Sequence, residues 1–276
     1  MIEILLIICF IFLFLASIFD IRTREIPDWL NYGIIVFALL YRLLWSFFFN
    51  WTYFFEGLAG FGVAFILACV LFYTGQWGGG DAKSLMGVGA LLGMKFSLNH
   101  DFVSFLINLI LAGAIYSIFV IFFLTLKNKQ KICDVYNNNL YPNWKRIFLI
   151  SILLMLIIIF VNFPFDLKFF LIAFIILAWI VYFFTLLVFS VEKVCMIKLV
   201  KPSELTEGDW IVKDVKHKNK LIVSSKNLGL TLDQIERLKK LKKKVWVKNG
   251  IPFLPSFLLA FILTFWLGNL LRFLIF

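Results

Sequence analysis

The sequence predicts an all-α polytopic membrane protein of about eight transmembrane helices (six to eight), with a small α+β insertion before the last helix. Of its 276 residues, 62% are hydrophobic and 16% are charged, whereas soluble domains contain about 45–50% apolar and 25% charged residues. A helix needs about 20 apolar residues to cross a bilayer. The apolar runs that approach this length are 3–19, 29–49, 52–74, 82–96, 102–126, 147–163, 168–190 and 254–275.

Two of these runs, 82–96 and 147–163, are short for a crossing, and this sets the lower end of the range. The first run begins without a basic residue and is followed by no small-residue cleavage site, so we expect a retained helix rather than a signal peptide.

Basic residues predict the orientation of these helices, because short cytoplasmic loops retain Lys and Arg. With eight spans, most of the 27 basic residues fall on one side. That side is therefore predicted to be cytoplasmic, both chain termini extracytoplasmic, and the protein a multi-pass component of the cell membrane. The net charge of +11 then reflects this bias and attraction to anionic membrane lipid, and no nucleic-acid partner is predicted.

The predicted organisation has five parts. They are a membrane domain at 1–126, an irregular cytoplasmic loop at 127–146, further helices at 147–190, a small cytoplasmic domain at 191–253 and a last helix at 254–276. Within the small domain we expect strands at 209–212 and 221–223, and a helix from Thr231 to Lys243 that starts with a capping box. The basic later face of that helix is either a solvated surface or a site for anionic lipid or an acidic peptide.

Asp20 closes the first apolar run and belongs to a short charged segment that includes Arg22 and Pro27. Proline cannot donate to the preceding helical turn and disfavours the helical conformation at Ile26, so the first helix should end near here. Asp20 is then held at the cytoplasmic mouth of the membrane. An ordinary solvated hairpin explains this segment equally well when it is taken alone.

Asp81 follows three consecutive glycines, Gly78 to Gly80, and precedes Lys83. Glycines allow close approach to the backbone, so an extended substrate could lie there. An ionisable group at the edge of the hydrocarbon is costly and indicates a functional site. Small residues at four-residue spacing predict close helix packing that would bring Asp81 near Asp20; they are Gly60, Ala64, Ala68, Gly89 and Gly93.

Together these two motifs resemble those of the type IV prepilin peptidases, which are membrane aspartic peptidases of the GxGD type. The resemblance covers roughly the first 125 residues, and residues 229–231 and 248–255 resemble the carboxy-terminal region of archaeal members. The cysteine-motif domain of bacterial members is missing from the sequence. The resemblance therefore implies an archaeal prepilin or preflagellin peptidase without N-methylation.

The resemblance also implies the site and the substrate. Asp20 and Asp81 would be catalytic, and the motif residues that support them would be Gly78, Gly80, Lys83, Arg22 and Pro27. The partner would be a precursor pilin or archaellin, which would lose its short charged leader at the cytoplasmic membrane surface. The oligomeric state is not predicted.

Paired carboxyl groups suit peptide hydrolysis, because two that share a site cannot both ionise cheaply. One can activate water while the other hydrogen-bonds the developing oxyanion. This chemistry needs no metal or other cofactor, and the few Cys and His residues offer little for a zinc or haem site.

Other charged residues receive smaller roles. Lys83 lies two helical positions after Asp81, so it points about 200° away, and we expect it to contact lipid headgroups or the leader. Glu25 and Asp28 are the next acids to test if Asp20 proves dispensable. Arg42 is expected to snorkel to the far interface.

Three alternatives stay open at this point. An ion-coupled transporter or channel could use Asp20 and Asp81 as a proton or cation site, although both acids are predicted at one surface and the sequence has no inverted repeat pairing them. A presenilin-like protease would share the GxGD chemistry, but its Pro-Ala-Leu element is missing. A relative without activity could serve as a scaffold.

Overall fold

The computed structural model of the protein describes residues 2–95, 97, 100–140, 143–161, 163–217, 220–225, 227 and 229–270. Most of the described residues are helical. The helices are α1 (Ile2–Thr23), α2 (Asp28–Phe48), α3 (Thr52–Tyr73), α4 (Gly79–Leu92), α5 (Asp101–Lys127), α6 (Lys129–Asn138), α7 (Trp144–Phe160), α8 (Phe165–Val191), α9 (Leu232–Leu241) and α10 (Leu254–Leu267).

The predicted fold class is confirmed: the chain is a mostly helical, multi-pass membrane protein with a small sheet-containing insertion before the last helix. Five helical segments are long and apolar enough to cross a bilayer: Glu3–Thr23, Asp28–Phe48, Thr52–Tyr73, Asp101–Lys127 and Phe165–Met196. Three further apolar helices are shorter, with 14 residues in α4, 17 in α7 and 14 in α10. The number of spans therefore stays a prediction.

Left-handed backbone conformations follow the ends of several helices, among them α1, α4 and α10. Arg24, with φ +59°, follows α1, and its N–H donates to the Asp20 carbonyl oxygen at 2.9 Å. Gly93 ends α4 with φ +70°, and Gly268 ends α10 with φ +72°. The last helix is thus shorter than the predicted run 254–275, and residues 271–276 lie outside the described residues. Glycine adopts these conformations without the steric cost that other residues meet.

The chain divides into two compact units, one from the ranges 1–119 and 199–276 and the other from 120–198. The core of the first unit joins α1, α2, α3, α4, α5 and α10. Its fully buried side chains include Leu13, Leu85, Phe105 and Phe257. The loop and domain boundaries expected from the sequence stay a prediction.

The predicted small-residue faces of α3 and α4 meet each other, which confirms their packing role. A Cβ atom added at Gly60 would overlap the Gly89 carbonyl oxygen, and one added at Gly89 would lie 2.5 Å from the Gly60 carbonyl oxygen. Ala64 packs against Gly89 and is fully buried. The two backbones are therefore in direct contact, and α4 takes its position from α3.

In the second unit, the expectation of an irregular segment at 127–146 is wrong for residues 129–138, which form α6. Ile132 of this helix is buried against Ile121 and Val191. One buried apolar side chain on a largely polar helix is a weak periodic signal, and packing against neighbouring helices supplies the stability that the sequence alone does not indicate.

The insertion contains five short strands among the described residues: β1 (Ile197–Val200), β2 (Trp210–Ile211), β3 (Val215–His217), β4 (Lys220–Val223) and β5 (Val245–Lys248). They form a three-stranded sheet in the order β1-β5-β2 and an antiparallel β3–β4 pair. The sequence predicts β2 and β4 but misses the other strands. Ile235 and Leu238 of α9 are buried with Ile211, Val223 and Val247, so a single apolar core joins the helix and strands.

The predicted capping box of α9 is present. The Gln234 N–H donates to the Thr231 hydroxyl at 3.4 Å, and the Thr231 N–H donates to Gln234 Oε1 at 3.1 Å. Thr231→Ala should lower the stability of α9 by about 1 kcal/mol, because it leaves a first-turn N–H without its acceptor. Amide hydrogen exchange in α9 of the full-length protein measures the change. Thr231→Ser keeps the hydroxyl and should exchange like the wild type; equal exchange in the Ala variant would contradict this prediction.

Candidate functional site

Asp20 and Asp81 lie at the same end of the helical core. Asp20 belongs to the last turn of α1, and Asp81 to the first turn of α4, which packs against α1. The two carboxyl groups are close enough to interact electrostatically. Asp20 is 6% exposed, whereas Asp81 is partly accessible. The structure therefore brings the two predicted aspartates to the same end of the core, with Asp20 enclosed and Asp81 partly accessible.

The buried Asp20 carboxylate is held by the start of α10. The Leu254 N–H donates to Asp20 Oδ2 at 2.9 Å, across 234 residues of sequence. The Phe253 N–H makes a second interaction with the same carboxylate. The first N–H groups of a helix have no acceptor within it, so they are free to bind this oxygen. The sequence resemblance covers residues 248–255, but nothing in the sequence pairs Leu254 with Asp20.

Asp81 takes its position from the glycine tract. Gly78 is the N-cap of α4, and the Asp81 carboxylate reaches back to the Gly78 N–H. This is the same contact that an acidic third residue makes in a capping box. A Cβ added at Gly78 would lie 3.6 Å from Asp81 Oδ2. The tract thus presents the carboxyl group close to accessible backbone.

The three glycines do not share one role, although the sequence suggests one. A Cβ added at Gly80 would come within 3.0 Å of the Ile26 side chain, so this glycine allows the two motifs to pack together. A Cβ added at Gly79 would contact only the Phe72 side chain, at 3.8 Å. Gly78 is exposed, and therefore the outer part of the tract offers the open backbone expected for an extended ligand.

Aromatic rings join the Asp81 loop to the start of α10. Trp77, which precedes the glycine tract, lies 5.6 Å from the Phe253 ring and 5.4 Å from the Phe257 ring between centroids. The Phe253 ring also packs on α5, where a Cβ added at Gly113 would lie 3.0 Å from it. Such ring pairs stabilise a fold beyond their buried area. The segment that holds Asp20 is thus also packed against the Asp81 loop.

Lys83 joins α4 to the first turn of α2. Its Nζ makes an ion pair of 2.6 Å with Asp28 Oδ1 and lies 4.9 Å from the centre of the Tyr32 ring. The expected contact with lipid headgroups or the leader stays a prediction. The orientation of Lys83 away from Asp81 agrees with the helical spacing.

The Lys83–Asp28 pair should contribute little to stability. The two side chains are 29% and 68% exposed, and exposed ion pairs typically contribute about 0–1 kcal/mol. A double-mutant cycle with Lys83→Met and Asp28→Asn, measured by unfolding in detergent, should give a coupling energy under about 1 kcal/mol. A coupling above about 2 kcal/mol would show that the pair is instead a main anchor of α4.

A buried polar contact one helical turn after Asp81 joins α4 to α2. The Ser84 hydroxyl donates to Asn31 Oδ1 at 2.8 Å, and both residues are fully buried.

Pro27 is the N-cap of α2, and its carbonyl oxygen accepts from the Leu30 N–H at 3.0 Å. The first motif thus ends α1 and starts α2, as the proline predicts. Arg22 is exposed at the end of α1.

The small domain contacts the first motif directly. The Thr206 hydroxyl donates to Glu25 Oε1 at 2.7 Å, and the Arg24 guanidinium donates to the Gly250 carbonyl oxygen at 3.3 Å. The Thr206 N–H donates to Asp209 Oδ2 at 2.9 Å. Burial raises the pKa of the Asp209 carboxyl above its usual value, and the hydrogen bond from the Thr206 N–H opposes the shift. Glu25 and Asp28 are therefore both engaged in contacts away from the two motif aspartates.

Arg42 does not snorkel, which corrects the expectation from its place in the second run. It is 3% exposed, and its guanidinium donates to the carbonyl oxygens of Leu91 at 2.8 Å and Tyr53 at 2.9 Å. Helix α4 ends at Leu92, so its last carbonyl groups lack partners within the helix. A cation at this end satisfies them and interacts favourably with the helix dipole. Arg42 thus fixes the end of α4 opposite Asp81.

Within the part of the chain that the structure describes, no group of three or more His, Cys, Asp or Glu residues is placed to hold a metal ion. The candidate site consists instead of two carboxyl groups, backbone N–H donors and a partly open glycine tract. Such a set can polarise a carbonyl group and accept a proton from water.

Residues 7–127 match the type IV leader peptidase family. A preflagellin peptidase of Methanocaldococcus jannaschii is 40% identical over 81 residues, which cover 29% of this chain and 34% of that protein. The preflagellin peptidase of Methanococcus maripaludis is 31% identical over 128 residues, or 42% of this chain and 55% of that protein. A preflagellin peptidase of Methanococcus voltae is 40% identical over 81 residues, which cover 29% of this chain and 34% of that protein.

The matches span from about a third to about half of the length of these relatives. Asp20 and Asp81 both lie within the segment that matches the family. The resemblance inferred from the two motifs is thereby confirmed for this part of the chain, whereas α10 and the small domain lie outside the family match.

Proposed function

We propose, because residues 7–127 match the type IV leader peptidase family, that this chain is a membrane aspartic endopeptidase of the GxGD type. Its substrates are type IV pilin-like or archaellin precursors, from which it removes the short charged leader at the cytoplasmic membrane surface. It does not methylate the new N-terminus. The names of the relatives, preflagellin peptidases, support archaellin precursors as one substrate class.

One observation carries the proposal: Asp20, in the last turn of α1, and Asp81, in the first turn of α4, lie at the same end of the helical core. In a hydrolytic step, one carboxylate accepts a proton from water as the water attacks the scissile carbonyl carbon. The other carboxyl group donates a hydrogen bond to the carbonyl oxygen as charge develops there. The proton then passes to the leaving amine, and the pair returns to its starting state.

The accessible glycines support a substrate path. Gly78 is exposed beside Asp81, and Gly79 has room on its outer side. An extended leader junction can therefore approach the backbone there. The apolar helix of a pilin-like precursor remains in the lipid, where burial contributes about 25 cal/mol per Å². The enzyme then selects substrates by both the junction and the helix.

The orientation also belongs to this proposal. In the eight-span topology that the sequence predicts, the basic loops lie on the same side as both aspartates, and on this basis the active site is proposed to face the cytoplasm and both termini to face outward. The contacts of the small domain with Glu25 and Arg24 support this arrangement, because they join the most basic segment to the aspartate end of the core.

The test is cleavage of a purified archaellin or pilin precursor by the full-length protein in liposomes. Mass spectrometry should find a single cut between the leader and the apolar helix, and an N-terminus without a methyl group. Proton and cation flux are measured in the same liposomes. Flux without cleavage would overturn the proposal in favour of a transporter, and a methylated product would overturn the statement about methylation.

A further inference from the structure

We propose that residues 250–255, here called the α10 entry segment, complete the catalytic site, and that the backbone N–H of Leu254 is the group that positions Asp20. This inference rests on the proposed function, but it extends the site well beyond the segment that matches the peptidase family. It assigns a positioning role to the start of the last helix, more than a hundred residues after the end of that match.

The contact between Leu254 and Asp20 lies in a buried setting. The Leu254 N–H donates to Asp20 Oδ2 at 2.9 Å, and the Asp20 side chain is almost fully enclosed. A buried carboxyl group must be hydrogen-bonded to offset its loss of water. The orientation of the Asp20 carboxyl group therefore depends on its donor. That donor is the backbone N–H of Leu254, whose position is fixed by α10.

The composition of the α10 entry segment directs this contact. Pro252 and Pro255 carry no N–H, whereas Phe253 and Leu254 between them do. The two residues that interact with Asp20 are thus bracketed by residues that cannot donate. Because α10 begins at Leu254, this N–H has no helical acceptor of its own. The segment presents a narrow pair of donors to the carboxylate.

Contacts on the other sides hold the α10 entry segment rigidly. The Phe253 ring packs against Trp77 and lies 5.9 Å from the Phe257 ring in an edge-on arrangement. The Ser256 N–H donates to the Phe253 carbonyl oxygen at 2.9 Å. Leu254 itself is fully buried in the helical core. A donor supported in this way can fix Asp20 with the accuracy that a catalytic group needs.

The α10 entry segment also reaches the second aspartate motif. Trp77 directly precedes Gly78, and its ring is in contact with the rings of Phe253 and Phe257. One short stretch of chain thus donates to Asp20 and packs against the loop that leads to Asp81. Its task is to set the relative position of the two carboxyl groups, and Leu254 acts as a positioning residue rather than a catalytic one.

The test removes the Leu254 N–H and keeps the side chain; the ester also weakens the preceding carbonyl oxygen as an acceptor, an effect that the control below shares. The amide of Leu254 is replaced by an ester, with the leucine side chain kept, by incorporating the α-hydroxy acid of leucine into the full-length protein. The matched control is the same replacement at Leu258, whose N–H lies in the interior of α10. Leu254→Ala is the second variant, because it removes the packing but keeps the N–H.

The ester at Leu254 should lower kcat for precursor cleavage by about tenfold or more, since small misplacements of a reacting group are costly, while KM stays within about twofold. The ester at Leu258 should keep kcat within about twofold. Leu254→Ala should unfold at a lower temperature and, because it keeps the N–H, should lose less kcat per folded molecule than the ester. A merely structural role would not separate these variants.

Several outcomes overturn the inference. One is a Leu254 ester that cleaves like the wild type, and another is an equal loss in the Leu258 ester. A rise in KM with unchanged kcat, or a loss in Leu254→Ala as large as that in the ester, also contradicts it. A wild-type protein that cleaves no precursor overturns the proposed function and this role with it, so the two failures are distinguishable.

Discussion

Asp20→Asn and Asp81→Asn should each reduce precursor cleavage by about 10³-fold or more, because each removes one of the two groups that handle the proton. The substitution keeps the volume of the side chain nearly constant. In Asp20→Asn, the enclosed side-chain oxygen can still accept from the Leu254 N–H, as the carboxylate does, so the fold should be retained. Cleavage in liposomes and thermal unfolding in detergent measure the two effects separately.

The control for this experiment is Asp101→Asn, at the start of α5, where the acid is exposed and does not belong to either motif. It should cleave like the wild type. Glu25→Gln tests the neighbouring acid, which is already occupied by Thr206, and should retain most of the activity. Normal cleavage by either motif variant would refute the paired-carboxyl mechanism.

Gly60→Ala should destabilise the protein by about 1–3 kcal/mol, because a methyl group there cannot be accommodated without moving backbone. The added Cβ would overlap the Gly89 carbonyl oxygen and lie 2.8 Å from the Gly93 Cα. Helix α4 must therefore shift away from α3. Because Asp81 is on α4, cleavage per folded molecule should fall by up to about 10²-fold.

Gly62→Ala is the matched control on the same helix. A Cβ added at Gly62 has no described atom within 4 Å, and alanine in a helix is favoured over glycine by up to about 1 kcal/mol. This variant should be at least as stable as the wild type and fully active. Equal behaviour of the two variants, in urea unfolding and in cleavage, would contradict the close contact between α3 and α4.

The helices and the paired motifs could be predicted because their signals are local. Long apolar runs predict the helices of the core, Pro27 predicts the break between α1 and α2, and the spacing of Gly60 and Ala64 predicts a close-packed face. The capping box at Thr231 is likewise a pattern of four residues. Each of these features depends on neighbours in sequence, and each is present in the structure.

Contacts between distant residues could not be predicted in the same way. Arg42 resembles a snorkelling residue until the end of α4 supplies carbonyl groups for it, 49 residues later. Lys83 meets Asp28 across 55 residues, and the Leu254 donor is still more remote. The short strands β1, β3 and β5 are stabilised mainly by the shared core of the small domain. These contacts depend on tertiary packing, which a local sequence pattern does not predict.

The remote origin of the Asp20 donor affects how an active molecule matures. Asp20 is translated early, whereas Leu254 is translated 234 residues later. A nascent chain therefore carries both acidic side chains long before the donor that orients the first of them emerges. Since contacts of such wide separation also form slowly, hydrolytic competence should be acquired only after translation is nearly finished, and a polypeptide released prematurely should be inert.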